Sequence, residues 1–560
     1  AGAGSGKTRV LTHRIAWLNE VHGVPVHGIF AVTFTNKAAG EMRHRTDLQL
    51  RNGSRGMWIG TFHGLAHRLL RLHWQEAKLP ESFQVLDSDD QLRLVKRVVQ
   101  QMELDEARFP PRQIAWWINA QKDEGRRAEH IQPGDDQWTD TLRRAYALYQ
   151  ERCDRAGLVD FAELLLRAHE LLRDQTALLS HYRARFREIL VDEFQDTNAI
   201  QYGFIRLLAG DTGHVFVVGD DDQAIYGWRG AKVENVQRFL KDFPDAQTIR
   251  LEQNYRSTAN ILGAANAVIA HNPDRIGKQL WTDTGEGETI DLYAAYNEID
   301  EASFVVERIR QWVRDGGSYG DCAILYRSNA QSRAFEERLQ AEPRVPFRVY
   351  GGMRFFERAE IKDTLAYLRL VGNRADDAAF ERAVNTPTRG IGDRTLDEVR
   401  KRARSLSQSL FESAHELSIS NELAGRARNA LAGFISLIEA LSAEVVDLEL
   451  KDKIDHVLMR SGLREFYLNE SKGQLDSRTD NLDELVSVAS RFVRRDEEET
   501  VGMSDLVAFL AYASLEAGEG QAQADEDGVQ LMTLHSAKGL EFPIVFLGGL
   551  EEGLFPSSKS

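Results

Sequence analysis

The sequence is poor in cysteine, in long apolar runs and in positive charge. Its two cysteines, Cys153 and Cys322, form neither a metal-ligand spacing nor a disulfide framework, and fit a reducing, cytoplasmic setting. No apolar run is long enough to cross a bilayer, and the start is not a basic stretch followed by an apolar one, so neither a membrane partner nor a signal peptide is expected. Asp and Glu outnumber Lys and Arg by 86 to 70, for a net charge of −16. That excess argues against a protein coated in basic surface for nucleic acid. Local charge and stacking still decide binding, whatever the global sum.

What is present is a 560-residue chain with 42% hydrophobic and 28% charged residues, too long for one core and expected to divide into several domains. Its first eight residues, Ala1-Gly-Ala-Gly-Ser-Gly-Lys-Thr8, match the phosphate-binding loop G-x-x-x-x-G-K-[ST] with Ala1 in the first glycine position. Backbone N–H groups of Ala3, Gly4, Ser5, Gly6 and the following Lys7, Thr8 and Arg9 would cradle phosphate oxygens. Lys7 would reach the β/γ-phosphates and Thr8 would ligate Mg²⁺. Val10, Leu11, Ile15 and Leu18 recur at helical spacing, so the loop opens a helix.

Short apolar runs at 29–34 and 57–61 read as strands, followed by Thr35-Asn-Lys-Ala-Ala39 and Phe62-His63-Gly64, each opening a helix or serving as an ordinary cap. The strand Ile189-Leu190-Val191 runs into Asp192 and Glu193. Ligands gather past the carboxyl ends of parallel strands. There Asp192 suits Mg²⁺ and Glu193 suits the orientation of an attacking water. Taken alone, Glu193 and Asp196 fit a helix N-terminus equally well. A strand at 215–218 leads to Gly219-Asp-Asp-Asp-Gln-Ala-Ile-Tyr-Gly-Trp-Arg229, where Gln223 suits a γ-phosphate sensor. In the same stretch Tyr226, Trp228 and Arg229 read as a stacking platform or as packing aromatics. A strand at 248–251 precedes Gln253-Asn-Tyr-Arg-Ser257, with Tyr255 offering a face to adenine and Arg256 either an arginine finger or an exposed loop arginine. Between 79 and 185 the pattern is helical; Trp116 and Trp117 with Lys122, Arg126 and Arg127 could touch a nucleic acid, but the tryptophans read better as core and the charges as a solvated face.

In this order the motifs resemble superfamily 1 helicases of the UvrD/PcrA/Rep group. They read Ala-Gly-Ala-Gly-Ser-Gly-Lys-Thr at 1–8, Thr-Phe-Thr-Asn-Lys-Ala-Ala at 33–39, Gly-Thr-Phe-His at 60–63 and Asp-Glu-Phe-Gln-Asp at 192–196. They continue as Gly-Asp-Asp-Asp-Gln-Ala-Ile-Tyr-Gly-Trp-Arg at 219–229, Gln-Asn-Tyr-Arg-Ser at 253–257 and Thr-Leu-His-Ser-Ala-Lys-Gly-Leu-Glu-Phe at 533–542. The resemblance implies an ATP-driven motor moving 3′ to 5′ on single-stranded DNA, acting at junctions with duplex in repair or replication, with repair proteins as possible partners. It implies that Phe34, Phe62, His63, Tyr226, Trp228 and Arg229 contact DNA. It also implies that Tyr255 stacks on adenine, Arg256 meets the γ-phosphate and Glu541 contacts the ribose.

The expected fold is α/β, with two RecA-like P-loop motor domains each interrupted by a mainly helical insertion. The expected boundaries are 1–78 and 186–247 for the first motor, with 79–185 inserted, and 248–375 and 528–560 for the second, with 376–527 inserted. Alternating patterns at 290–293, 298–313, 323–326, 331–340 and 347–350 support the second motor, which has no phosphate loop of its own. Strands at 529–533 and 544–547 complete it. Thr388-Arg-Gly-Ile-Gly-Asp393 fits a tight turn or a duplex-phosphate contact, and 516–527 reads as a small, acidic linker. The family's last motif, with a second catalytic arginine, is expected beyond Ser560, since no arginine follows Glu541; as written, the chain is expected to bind ATP and DNA but to hydrolyse and unwind poorly. Three alternatives stay in view. One is a translocase subunit of a nuclease complex, although no nuclease carboxylate–lysine cluster is apparent. Another is a non-catalytic DNA-binding scaffold. The third, a small-molecule phosphotransferase, is disfavoured by length and by the aromatic loop after Gln223.

Overall fold

A computed structural model describes residues 1–555 apart from 82, 133–136, 228–229, 273–274, 276, 342, 351–354, 407, 471–477, 493–503 and 519–526. Trp228 and Arg229 therefore lie outside the described residues, as does most of the expected linker. The strands among the described residues are β1 (Ile29–Thr33), β2 (Trp58–Thr61), β3 (Gln84–Val85), β4 (Leu158–Val159), β5 (Glu188–Val191), β6 (His214–Val217), β7 (Cys322–Tyr326), β8 (Phe347–Tyr350), β9 (Val529–Thr533) and β10 (Ile544–Leu547). One sheet has the order β2-β1-β5-β6 and a second the order β10-β7-β9-β8, with every pairing parallel.

The inner strands of the first sheet, β1 and β5, are buried on both faces, which explains their near-continuous apolar runs, while the edge strand β6 is half-buried. All five residues of β1 are buried. Ile29 and Ala31 point to the helix Lys7–Glu20, joining Leu11, Ile15 and Leu18; Phe30 and Val32 point to the other face, with Phe62, Leu65 and Phe204. This is the two-residue alternation of a strand sandwiched between helices. Thr35 and Thr61 cap the helices Asn36–Gln49 and Phe62–Leu72 by accepting N–H bonds from Ala38 (3.2 Å) and Gly64 (3.1 Å). In the second sheet, Ile324, Tyr326, Val529 and Leu531 pack on Val306 and Ile309 of the helix Glu298–Arg314.

Each sheet is interrupted by helices with a core of their own. Between β2 and β5, Val95, Val98, Ile114, Ile118, Tyr146 and Tyr149 form one core; between β8 and β9, Tyr367, Phe380, Phe434, Ile438 and Leu458 belong to the other. The helix Ala359–Gly372 packs in that second core.

Two expected strands are absent. Residues 248–251 and 290–293 form no strand. The Leu251 carbonyl instead accepts the Gly2 N–H at 2.9 Å, and Ile290 and Leu292 stand 60% and 91% exposed, paired with no strand among the described residues. An extended run without a ladder partner gains nothing from strand geometry. The charge reading changes at Lys122 and Arg127, while Arg126 is exposed as expected. Lys122 is fully buried, 2.6 Å from Asp160 and 2.9 Å from Glu163, and Arg127 pairs with Glu163 at 2.7 Å and with Glu170 at 2.5 Å. Trp116, expected in the core, is 68% exposed, whereas Trp117 packs against the core. Charge here means a desolvated network, because Asp160, Glu163 and Glu170 converge on these two cations. In the 388–393 turn, Asn385 Oδ1 already accepts the N–H groups of Arg389 (2.8 Å) and Ile391 (3.3 Å), which supports the tight-turn reading. Among the described residues no helix is long and apolar enough to cross a membrane.

Candidate nucleotide site and its surroundings

The phosphate loop sits at the carboxyl edge of the first sheet. Gly4 and Gly6 adopt φ values of +63° and +83°, a left-handed backbone open to glycine at little strain. At Gly4 the reason is also spatial: a Cβ would come within 2.6 Å of the Asn254 side chain and 2.7 Å of Arg256 Cβ. Ser5 Oγ donates to the Gly2 carbonyl at 2.7 Å and closes the loop. Lys7 is buried, 3.5 Å from the Gly2 carbonyl and 3.7 Å from Asp220 Oδ2. Thr8 is half-buried at the first turn of the helix, and Arg9 is exposed.

Asp192 and Glu193 follow β5 directly. Asp192 is 2% exposed, and its carboxyl is pushed up to about 7, chiefly by burial and next by the charge of Glu193. Glu193 has φ +49° and ψ +44°, a left-handed backbone that a glutamate adopts only when its surroundings hold it there. Such strain collects at functional sites. Gln195, fully buried, holds the pair in register: its Nε2 donates to Glu193 Oε2 at 2.6 Å, and its Oε1 accepts the Asp220 N–H at 2.8 Å. It thus joins the end of β5 to the loop after β6. Gln223 Nε2 donates to Asp220 Oδ2, so Asp220 stands between Lys7 and Gln223.

The stretch 251–257, at the start of the expected second motor, closes on this loop. Asn254 Nδ2 donates to the Ala3 carbonyl at 2.6 Å, and the Tyr255 N–H to the Gly4 carbonyl at 2.9 Å. The Asn254 Oδ1 accepts the N–H groups of Arg256 (2.8 Å) and Ser257 (2.7 Å), shaping the turn that presents Arg256. Tyr255 is 68% exposed, with its ring open to solvent. Arg256 Nε pairs with Glu541 Oε2 at 2.6 Å. An ion pair this exposed is worth about 0–1 kcal/mol, so a phosphate can displace it. Three residues before Glu541, Lys538 binds the buried Asp196, donates to the Gln223 carbonyl at 2.8 Å and lies 4.7 Å above the Tyr226 ring.

The expected nucleotide residues are therefore together, with Glu541 engaged by Arg256. Of the expected DNA-contacting residues, Phe34 and His63 are half-buried at strand ends, and Tyr226 is half-buried under Lys538. Phe62 is 2% exposed, edge-on to Phe34 at 5.4 Å, and its ring packs inward as the first residue of its helix. Gln195, Asp220, Asn254 and Lys538 were not assigned roles from the sequence. All four lie inside the motif strings, but side-chain direction, which spacing does not reveal, is what gives them partners.

The Thr8 hydroxyl and Asp192 carboxylate are hard oxygen donors of the kind Mg²⁺ takes beside substrate phosphates. Asp192 fits that group, since a buried carboxyl this disfavoured in its charged form is what a divalent cation would relieve.

Residues 1–244 match the UvrD/REP helicase N-terminal domain family, and residues 249–560 the UvrD-like helicase C-terminal domain family. The chain is similar to DNA helicase II of Escherichia coli, 61% identical over all of this chain and 77% of that protein. It is 56% identical to DNA helicase II of Haemophilus influenzae over the same shares. To the ATP-dependent DNA helicase PcrA of Staphylococcus aureus it is 41% identical, over all of this chain and 76% of the relative.

Proposed function

The chain belongs to the UvrD/REP helicase family, with two RecA-like motor domains, and from that premise we propose that it is a DNA-stimulated ATPase that moves 3′ to 5′ along single-stranded DNA and opens duplex at junctions, in repair or replication. It is a DNA helicase that hydrolyses ATP. The observation that carries the residue-level reading is the convergence of Lys7, Asp192, Glu193, Gln195 and Asp220 at the carboxyl edge of the first sheet, with Arg256 packed beside the phosphate loop at Gly4.

In this reading the loop from Ala3 to Thr8 and Arg9 holds the triphosphate, and Tyr255 stacks on adenine. Lys7 and Arg256 stabilise charge developing on the γ-phosphate. Glu193, oriented by Gln195, holds the attacking water and takes its proton. Thr8 and Asp192 would hold Mg²⁺, which supplies charge neutralisation across the phosphates. Gln223 senses the γ-phosphate. Arg256 leaves Glu541 when phosphate arrives, freeing Glu541 for the ribose. The Gln223 carbonyl and Asp196 are both bound by Lys538, so movement at the γ-phosphate passes to the second sheet and to Tyr226. Phe34, His63, Tyr226, Trp228 and Arg229 would grip the strand, and Phe62 would support Phe34 from behind. Repair proteins are the partners this activity would serve, in the cytoplasm.

The test is the ATPase rate of the full-length protein with and without single-stranded DNA, paired with strand displacement on 3′-tailed and 5′-tailed duplexes. We expect stimulation by DNA and displacement from 3′ tails. Displacement from 5′ tails alone would refute the polarity, and an ATPase indifferent to DNA would refute the coupling. Glu193→Gln should keep ATP affinity and abolish turnover.

A further inference from the structure

Lys278 lies outside every motif, yet it reaches the site. It follows Gly277 (φ +78°) and is 8% exposed. Its Nζ lies 2.5 Å from Asp220 Oδ1, 2.7 Å from Asp221 Oδ1 and 2.9 Å from Asp222 Oδ2. Arg275 braces it, donating to the Lys278 carbonyl at 3.1 Å and binding both oxygens of Asp222 at 2.7 Å. Three consecutive aspartates thus turn toward one lysine.

Asp220 is the point of consequence. It is 2% exposed and divides its carboxylate: Oδ1 to Lys278, Oδ2 to Gln223 and, at 3.7 Å, to Lys7. A buried carboxylate draws in whatever cation is nearest, because attraction grows as the surroundings dry. With Lys278 in place, the nearer cation is the one that binds no nucleotide, and Lys7 stays at a distance too long for a tight ion pair. Without it, Lys7 would be pulled onto Asp220, away from where phosphate sits, and Gln223 would lose a fixed acceptor geometry.

We propose that Lys278 is a positioning residue for nucleotide binding: by neutralising Asp220 it keeps Lys7 available to phosphate. This rests on the reading of Lys7 as the phosphate-binding lysine. Lys278 touches neither substrate nor reacting atoms, and its effect on Lys7 passes through Asp220, the one of its three carboxylates that also faces Lys7.

The experiment measures the Kd of a fluorescent ATP analogue with Mg²⁺, and the Kd of an oligothymidine, for full-length wild type, Lys278→Met, Asp220→Asn and the double variant. Lys278→Met should weaken nucleotide binding roughly tenfold, the scale of one lost charge-assisted hydrogen bond, with DNA affinity unchanged. In the Asp220→Asn background, adding Lys278→Met should change nucleotide Kd little, because the charge it restrains is gone. That comparison stands even where Lys278→Met alone does not fold. A full additional loss in the double variant, or unchanged nucleotide affinity in Lys278→Met, overturns the proposal. Arg275→Ala, which loosens Asp222 and the Lys278 backbone but leaves the Lys278 charge beside Asp220, should lower the melting temperature with a smaller loss of nucleotide affinity than Lys278→Met. Equal effects of Arg275→Ala and Lys278→Met on nucleotide Kd would mean a purely structural role and also overturn it. Wild-type protein that binds no nucleotide, or Lys7→Ala that binds it normally, refutes the parent reading instead.

Discussion

Replacing Asp192 with asparagine should make the nucleotide-free protein more stable while destroying its function. Burial and the neighbouring Glu193 raise the Asp192 carboxyl from 3.8 to about 7. At ~1.4 kcal/mol per tenfold change in proton affinity, that rise disfavours the charged form by ~4 kcal/mol. The folded state binds this proton more tightly than the unfolded chain. The penalty is therefore absent below pH 3.8, grows between 3.8 and about 7, and is complete above that. An asparagine side chain at this position would keep the Oδ1 acceptor that now meets the Glu193 N–H at 3.0 Å, and would carry no charge. In EDTA at pH 8, Asp192→Asn should resist urea better than wild type. The gain is bounded by ~4 kcal/mol, because water entry and relaxation relieve part of the penalty in the wild type. The gap should narrow toward pH 5. Mg²⁺ with an ATP analogue should then stabilise wild type more than Asp192→Asn, which keeps Lys7 and the phosphate loop but lacks the carboxylate for Mg²⁺, and the variant's ATPase should be lost. The reasoning fails if the variant is no more stable than wild type at pH 8, or if the gap widens on acidification.

Lys122→Met should destabilise the helical insertion by about 3–5 kcal/mol, since Asp160 and Glu163 would remain buried with part of their compensation gone; urea denaturation followed by tryptophan fluorescence reads this, and a loss below about 1 kcal/mol would contradict it. Gln195→Leu should lower kcat at least tenfold with little change in ATP KM. It releases Glu193 and leaves the Asp220 N–H unsatisfied, a local penalty of about 1–3 kcal/mol. A rise in KM with kcat preserved would place Gln195 in ground-state binding instead.

Local chemistry was legible in the chain itself. The Gly4 and Gly6 turn, the lysine and threonine after it, and carboxylates just past an apolar strand follow from backbone sterics and from two-residue or 3.6-residue periodicity, which act within a few residues. The sheet order could not be read so directly. β1 pairs with β5 across a helical insertion, and β9 enters between β7 and β8 after an even longer one. Such pairings depend on which surfaces remain to be buried once the insertions have closed on their own cores. The same limit explains the two expected strands that did not form: 248–251 and 290–293 have strand-like composition, but a ladder needs a partner that composition does not name. It also explains Lys122, which looks like any helix-surface lysine until Asp160, 38 residues further on, and Glu163 arrive beside it. Tertiary structure alone decided which charges share a site. Asp220 lies between Lys7 and Lys278, and Gln195 ties Glu193 to the next strand's loop. Side-chain direction and desolvation are properties of the packed molecule, and they turn a string of motifs into one electrostatically coupled site.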